Sequence, residues 1–453
     1  MRSTNRSSHD VSEYKGTISG LVLAYIAILF IYMIFLGDVI GSLLVLIQFP
    51  LLLSVGKKFS FNHAYFLTIY SYFQFSGIFG IQFIQFWKGI PPYDELLTRT
   101  RHAYLLFIFG LLLFLFLFNF VGGKVNQIGA PLREMKSLLI PLSFISIGLF
   151  AQITILFTAN LSFTTIITNP EKTRSSLSIA NTFVTLSSLA IPGILLLFQY
   201  CRVNKDFLGK FYLIVTGTII LYLVAGSRFR PTLLLLVLMI NFHLHVRTFS
   251  KKSIYGIFAF AIAFLPLYGA YRYEKLYNST VGSSQLTNGF FAQLASEPFD
   301  LARSLDFFGP ANQTYRQNLI SEILAATSPF FPWIEVEEKI IFQAGILSRI
   351  FNNNSKGGLR ISGLGEAVIA FGVMGSLFLA LIVSLLLLIS RNLQIKGYTA
   401  TSAMVFISLC NWLILGIVTF PIWIFYAFIV FIVESVMSNA RSRQAVFSGF
   451  NKI

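Results

Sequence analysis

The chain has 453 residues, of which 55% are hydrophobic and only 11% charged, with 49 phenylalanines and a mean hydropathy of +0.74. A soluble globular chain carries about 25% charged residues, so this composition excludes a water-soluble fold with a polar surface and requires lipid to cover the apolar side chains. The net charge of +16 comes from 34 Lys and Arg against 18 Asp and Glu. These charges sit in short loops between apolar runs, which is the pattern of membrane topology rather than of nucleic-acid binding.

A helix needs about 20 apolar residues to cross the hydrocarbon. In chain order the sequence predicts a tail over 1–16 and then spans over 17–36, 39–55, 62–86, 103–121, 138–157, 177–199, 211–226, 231–246, 254–271, 363–389, 398–418 and 421–437. The reading is an all-α integral membrane protein of about twelve helices. Nine spans fill 17–271, a large loop occupies 272–362, three spans fill 363–437, and a second tail covers 438–453. The first run lacks a small-residue cleavage site and reads as an uncleaved helix. Gly37-Asp38 separates the first two spans and Pro421 the last two. Cys201 is predicted in a loop and Cys410 inside a helix, so no disulfide is expected.

Positive residues fix the orientation. The tails and the loops after even-numbered spans hold 19 of the Lys and Arg, and the opposite side holds 15, eight of them in the large loop. The short loops on that side carry only Lys88, Arg99, Arg101, Lys172, Arg174, Arg228 and Arg230. Long loops are largely exempt from the positive-inside rule. Both termini are therefore expected in the cytoplasm, with the large loop outside.

That loop balances eight basic against eight acidic residues, so bulk attraction of anions is not its role. Apolar stretches such as Phe290-Phe291 and Ile340-Ile341-Phe342 predict short amphipathic helices at the membrane surface. It contains no His and no Cys, which leaves no apparent metal site. Within the spans only Glu366 and Glu434 carry a formal charge, each near a helix end, and His63 and His102 are also terminal. Ion-coupled pumps place acids or bases at mid-membrane, so this pattern counts against a pump and directs attention to the outer face.

Two passages there carry chemistry. Residues 225–231 read Ala-Gly-Ser-Arg-Phe-Arg-Pro and join two short spans, each reaching about 24 Å against a core of about 30 Å. Arg228 and Arg230 are thus expected below the outer headgroup plane, where guanidinium groups need an anionic partner and a lipid diphosphate suits their bidentate geometry. The alternative is that these arginines only touch headgroups while Lys210 snorkels. Residues 357–366 read Gly-Gly-Leu-Arg-Ile-Ser-Gly-Leu-Gly-Glu. Glu366 in a helix first turn is held ionised by the dipole and can hold a sugar hydroxyl or accept its proton; the alternative is an ordinary N-terminal acid. Arg272 and Tyr273 open the large loop, and Arg303 stands three residues after Asp300, spaced for an ion pair within a helix.

The Gly226-Ser227-Arg228 turn with Arg230, the late outer loop, and the Gly357-Gly358 … Gly365-Glu366 … Phe371-Gly372 passage resemble the Wzy-type family of O-antigen and capsule repeat-unit polymerases. The resemblance implies a GT-C-like polymerase or ligase architecture in the bacterial inner membrane. It implies transfer of a growing glycan from undecaprenyl diphosphate to a lipid-linked repeat unit at the periplasmic face, without a cofactor. In that reading Arg228 and Arg230 hold one diphosphate, Arg272 and Arg360 assist with the second, Glu366 and Arg228 are catalytic, and Tyr273 and Arg303 contact glycan. The expected partners are undecaprenyl-diphosphate-linked oligosaccharides, the bilayer and a chain-length regulator, and not nucleic acid. An O-antigen ligase shares the architecture but uses a loop histidine that is absent here. A lipid-linked oligosaccharide flippase has short loops throughout.

Overall fold

The structure is a computed structural model that describes residues 27–58, 64–74, 77, 80–81, 94–121, 132–158, 181–224, 229–245, 298, 300–327 and 361–441. The predicted span 254–271, the stretches 290–294 and 340–342 and both tails up to residue 16 and beyond 441 lie outside them. Following a helical stretch over 27–35, the helices are α1 (Val39–Lys58), α2 (Ala64–Phe73), α3 (Glu95–Val121), α4 (Leu139–Thr158), α5 (Asn181–Ser187), α6 (Ala190–Val203), α7 (Leu208–Val224), α8 (Phe229–His245), α9 (Gln313–Thr327), α10 (Gly363–Phe371), α11 (Met374–Ile395), α12 (Thr399–Leu415) and α13 (Phe420–Met437). Short 3-10 turns at Lys205–Phe207 and Ile417–Thr419 join α6 to α7 and α12 to α13.

Four of these helices are long and apolar enough to cross a membrane: Glu95–Phe118, Leu139–Phe157, Met374–Ile395 and Phe420–Met437. Their large exposed residues, among them Phe150, Phe157, Phe378 and Phe428, are what a bilayer would cover. Helix α12 differs in kind. Every residue from Thr399 to Leu413 is buried, so it is a core helix wrapped by others.

The helices depart from the predicted spans in three ways, each with a local cause. Helix α3 starts at Glu95, eight residues before its predicted span. Asp94 caps it, accepting the Leu96 N–H at 2.9 Å and the Leu97 N–H at 3.3 Å, and Glu95 then pairs with Arg99 one turn on. Charges that read as a loop are therefore helix-starting residues. The tenth span is broken: Gly372 takes a φ of +68° between α10 and α11, a conformation that favours glycine. The sixth is split between Ser187 and Ala190. Cys201, expected in a loop, is buried in α6, and Cys410 is buried in α12. Among the described residues the secondary structure is otherwise helical apart from one two-stranded antiparallel ribbon. Its strands, β1 (Leu132–Met135) and β2 (Ser438–Arg441), pair Leu132 with Arg441 and Met135 with Ser438.

The chain divides into two compact units. The first is Met1–Val125, Leu294–Arg316 and Gly363–Leu385; the second is Asn126–Gln293, Gln317–Ser362 and Leu386–Ile453. In the first, α3 packs against α1, α2 and α10, with Phe107 4.5 Å from Phe73 between ring centroids. In the second, α4 and α6 pack closely. A Cβ added at Gly193 would fall 2.8 Å from Ile145 Cγ1 and 2.9 Å from its backbone nitrogen, so small residues set this crossing.

Within the predicted large loop, residues 300–308 and α9 are helical, whereas the two stretches expected to be helical, 290–294 and 340–342, lie outside the described residues. Asn312 ties the loop to the break in the tenth span. Its N–H donates to Ile369 O at 2.8 Å, its Oδ1 caps α9 at the Tyr315 N–H at 2.8 Å, and its Nδ2 donates to Phe308 O at 2.7 Å. Asn312→Ala is expected to cost about 1–2 kcal/mol, the usual price of a lost cap. Faster hydrogen exchange over 300–327 with little change in α4, α6 and α12 is the signature to look for.

Candidate functional site

Helix α7 and helix α8 each have 17 residues, or about 25 Å of rise, as short as the sequence implied. Arg230 stands in the first turn of α8 rather than in the connecting turn. It is half-buried, and its Nη1 donates to Ser187 Oγ at 2.9 Å. Its guanidinium lies 5.8 Å from the centre of the Tyr222 ring. The Tyr222 hydroxyl donates to Ser187 O at 2.6 Å, and the Tyr426 hydroxyl donates to Thr185 O at 2.7 Å. One guanidinium, two phenols and two segment ends therefore converge where α5 gives way to α6. The break at 187–190 exposes carbonyls that the tyrosines satisfy, and this same break brings Ser187 to the arginine. Arg228 belongs to this locus by sequence, but it lies outside the described residues, as do Arg272, Tyr273 and Arg360.

Glu366 is in the first turn of α10, as predicted, and is buried at 7% exposure. All of α10 from Gly363 to Ala370 is buried, and it packs on α3. Arg316 of α9 lies over the Phe371 ring at 5.4 Å, so the loop helix covers the C-terminal end of the helix that carries the carboxylate. Arg303 is exposed on the 300–308 helix. Its charge acts on Asp300, three residues back, in line with the ion-pair spacing.

Burial pushes the Asp300 carboxyl up to about 6, with Arg303 offsetting part of the rise. The folded state then binds a proton more tightly than an unfolded chain, whose carboxyl keeps its ordinary value. The loop helix is expected to be most stable below about pH 4 and to lose that increment as pH rises through about 6. Hydrogen exchange over 300–308 measures this directly, and Asp300→Asn is expected to flatten the dependence.

Two buried polar centres were not foreseen. In the first unit, Asp38 stands just ahead of α1 and Arg101 and His102 lie in α3. Arg101 is 2% exposed and Asp38 6%, and their charged atoms are 2.8 Å apart. His102 Nε2 lies 2.9 Å from Asp38 Oδ1 and 3.1 Å from Oδ2, and the Gly41 N–H donates to Oδ1 at 2.8 Å. Burial raises the Asp38 carboxyl, but the Gly41 amide, His102 and Arg101 outweigh it and hold the group below its usual range. The predicted spans carry only Glu366 and Glu434, but α3 begins eight residues ahead of its predicted span and so brings Arg101 into a helix as a buried charge.

In the second unit, Glu434 is fully buried. Its Oε2 accepts the Thr401 N–H at 2.7 Å and the Thr401 hydroxyl, and its Oε1 accepts the Ala400 N–H at 3.2 Å and the Gln199 amide. Gln199 also donates to Thr399 Oγ1 at 2.7 Å. Arg133 of β1 reaches the Glu434 carbonyl at 3.4 Å and stacks 3.8 Å from the Tyr398 ring centre. A carboxylate from α13 therefore caps α12, satisfying amides that open the buried helix. The sequence signals were faint: an Asp after Gly37, a run Arg99-Thr100-Arg101-His102, and Glu434 three residues from a helix end.

Among the described residues no three His, Cys, Asp or Glu come together as a metal-binding group. Compared with known proteins, the chain matches no family model, no curated protein and no solved structure.

Proposed function

We propose that the chain is a multi-pass inner-membrane polymerase of surface polysaccharide, with twelve spans, both termini cytoplasmic, and a GT-C-like arrangement around an outer-face site. It would transfer a growing glycan from undecaprenyl diphosphate to the next lipid-linked repeat unit. The observation that carries the reading is Arg230: a half-buried guanidinium in the first turn of a helix too short for the hydrocarbon, held by Ser187 beside Tyr222 and Tyr426. Such a group suits a diphosphate, which takes paired N–H donors.

The twelve-span topology draws support from which residues meet. The charge count puts Asp38, Arg101 and His102 on the outer side, and they join. It also puts Tyr222, Arg230 and Tyr426 toward the outer ends of their spans, and they gather around the break at Thr185–Ser187 in the sixth. Arg133, Gln199, Thr401 and Glu434 fall at inner ends and meet, and the β1–β2 ribbon links an inner loop to the C-terminal tail.

In this mechanism Arg228 and Arg230 neutralise the diphosphate that leaves, Arg272 and Arg360 steady the second carrier, and Glu366 holds the acceptor sugar. Tyr273 and Arg303 contact glycan, and a chain-length regulator is an expected partner. One observation favours a flippase as the second reading: the buried Asp38–Arg101–His102 group places charge among helices that the sequence had read as uncharged. The glycan phenotype of a deletion separates the readings. Loss of a polymerase leaves carrier lipid and its product bearing a single repeat unit; loss of a flippase or a ligase leaves none.

A further inference from the structure

The end of the second unit where Glu434 caps α12 is strongly basic. Gly148 of α4 meets Ala190 at the start of α6, and Gly193 of α6 meets Pro141 and Ile145, so the two helices run antiparallel. The last turn of α6 therefore lies level with β1, which packs on α6 and α13. The 3-10 turn at Lys205–Phe207 and the start of α12 close the same end. Arg133, Lys136, Arg202, Lys205, Lys210 and Lys396 stand here, and among the described residues the acids beside them are Glu134 and Asp206, since Glu434 is enclosed and occupied by α12 amides. Lys136, Lys210 and Lys396 are exposed. Like charges gathered on one surface repel each other and favour an anionic partner.

Arg133 is the most closely fixed of these groups. Its guanidinium lies 3.8 Å from the centre of the Tyr398 ring, two residues after Lys396. A guanidinium has five N–H donors. Here Nη1 reaches the Glu434 carbonyl at 3.4 Å, and the buried Nε has no hydrogen-bond partner among the described residues. A phosphate supplies several acceptor oxygens in the planar geometry that arginine matches. Directly behind the charges the surface turns apolar: Leu139 at the start of α4, Leu213 in α7 and Val436 near the end of α13 are 74%, 76% and 73% exposed. A free anion or a nucleic acid matches the charges alone, whereas a phospholipid matches both the charges and the apolar collar.

We propose that this end of the second unit is a seat for anionic phospholipid. Arg133 takes the headgroup phosphate, Lys136 and Lys396 flank it, and the collar meets the acyl chains. The proposed topology turns this end to the cytoplasmic leaflet, whose surface is anionic. The seat lies within the second unit alone and stands whether or not the chain polymerises glycan.

The test uses purified full-length protein, stripped of lipid in a non-ionic detergent, and reads the melting midpoint against added phosphatidylglycerol, phosphatidylcholine or inorganic phosphate. A ligand that binds only the folded chain raises the midpoint. Phosphatidylglycerol is expected to raise it, and the other two are expected to leave it in place. Removing one basic residue weakens contact with an anionic lipid surface by about fivefold, so K136Q/K396Q is expected to need about 25-fold more phosphatidylglycerol for the same shift. Arg133→Gln is expected to lose a further part of the response, and Arg99→Gln in the first unit to keep all of it. If R133Q does not fold, the lysine pair alone decides. An equal shift with phosphatidylcholine would show general lipid solvation, and a shift with inorganic phosphate alone an adventitious ion only. Either result, or a wild-type dose response in K136Q/K396Q, overturns the proposal.

Discussion

Glu434→Ala is expected to destabilise the protein by about 3–5 kcal/mol, the largest stability effect of any single substitution considered. The carboxylate is fully buried and accepts hydrogen bonds from two α12 backbone amides, the Thr401 hydroxyl and the Gln199 amide. Each buried donor left without an acceptor costs about 1–3 kcal/mol, and a cavity adds to that. The penalty falls on α12, the most enclosed helix, which α6, α8 and α13 all contact. Glu434→Gln retains one acceptor oxygen but turns an NH₂ group toward amide donors, so an intermediate loss is expected. Thermal unfolding in detergent reads both, and an unchanged midpoint for E434A would show that the α12 cap contributes little.

The largest functional effect is expected at Arg230. Arg230→Ala removes the guanidinium, and elongation is expected to fall by about 10²–10³-fold, the usual loss when one preorganised donor to a developing anion is deleted. Arg230→Lys keeps the charge and loses the planar fork, so it should recover only part of the rate. Arg228→Ala is expected to stop elongation with expression intact. Because Arg230 also bonds Ser187, the Ser187→Ala protein serves as the packing control: a modest change in rate there with a large one in R230A assigns the effect to the anion rather than to the helix junction. Equal losses in the two variants would assign it to packing.

The apolar runs made most of the helices legible, since hydropathy alone locates a segment that must shed water. The short α7–α8 pair and Glu366 in a first turn were both readable on that basis, whereas the helices described within the large loop, over 300–308 and in α9, fall outside the apolar stretches the sequence pointed to. What escaped was pairing between distant residues. Arg99 and Arg101 looked like loop charges because nothing local shows that Asp94 caps the helix eight residues before the apolar run, or that Arg101 finds Asp38 63 positions away. Glu434 looked like an ordinary terminal acid because its donors, Gln199 and Ala400-Thr401, lie on other helices. The break at Gly372 was visible as a glycine in a motif, but its consequence, an Ile369 carbonyl taken up by Asn312 of the loop, depends on tertiary structure. Hydropathy reports burial; it does not report which polar groups meet once buried.

The polymerase reading is tested most directly by incubating the purified wild-type protein with a synthetic undecaprenyl-diphosphate-linked repeat unit, with and without a metal chelator. The account predicts a ladder of glycans growing by whole repeat units, unaffected by the chelator, with undecaprenyl diphosphate released in step. Repeat units that remain single after the full incubation would contradict it.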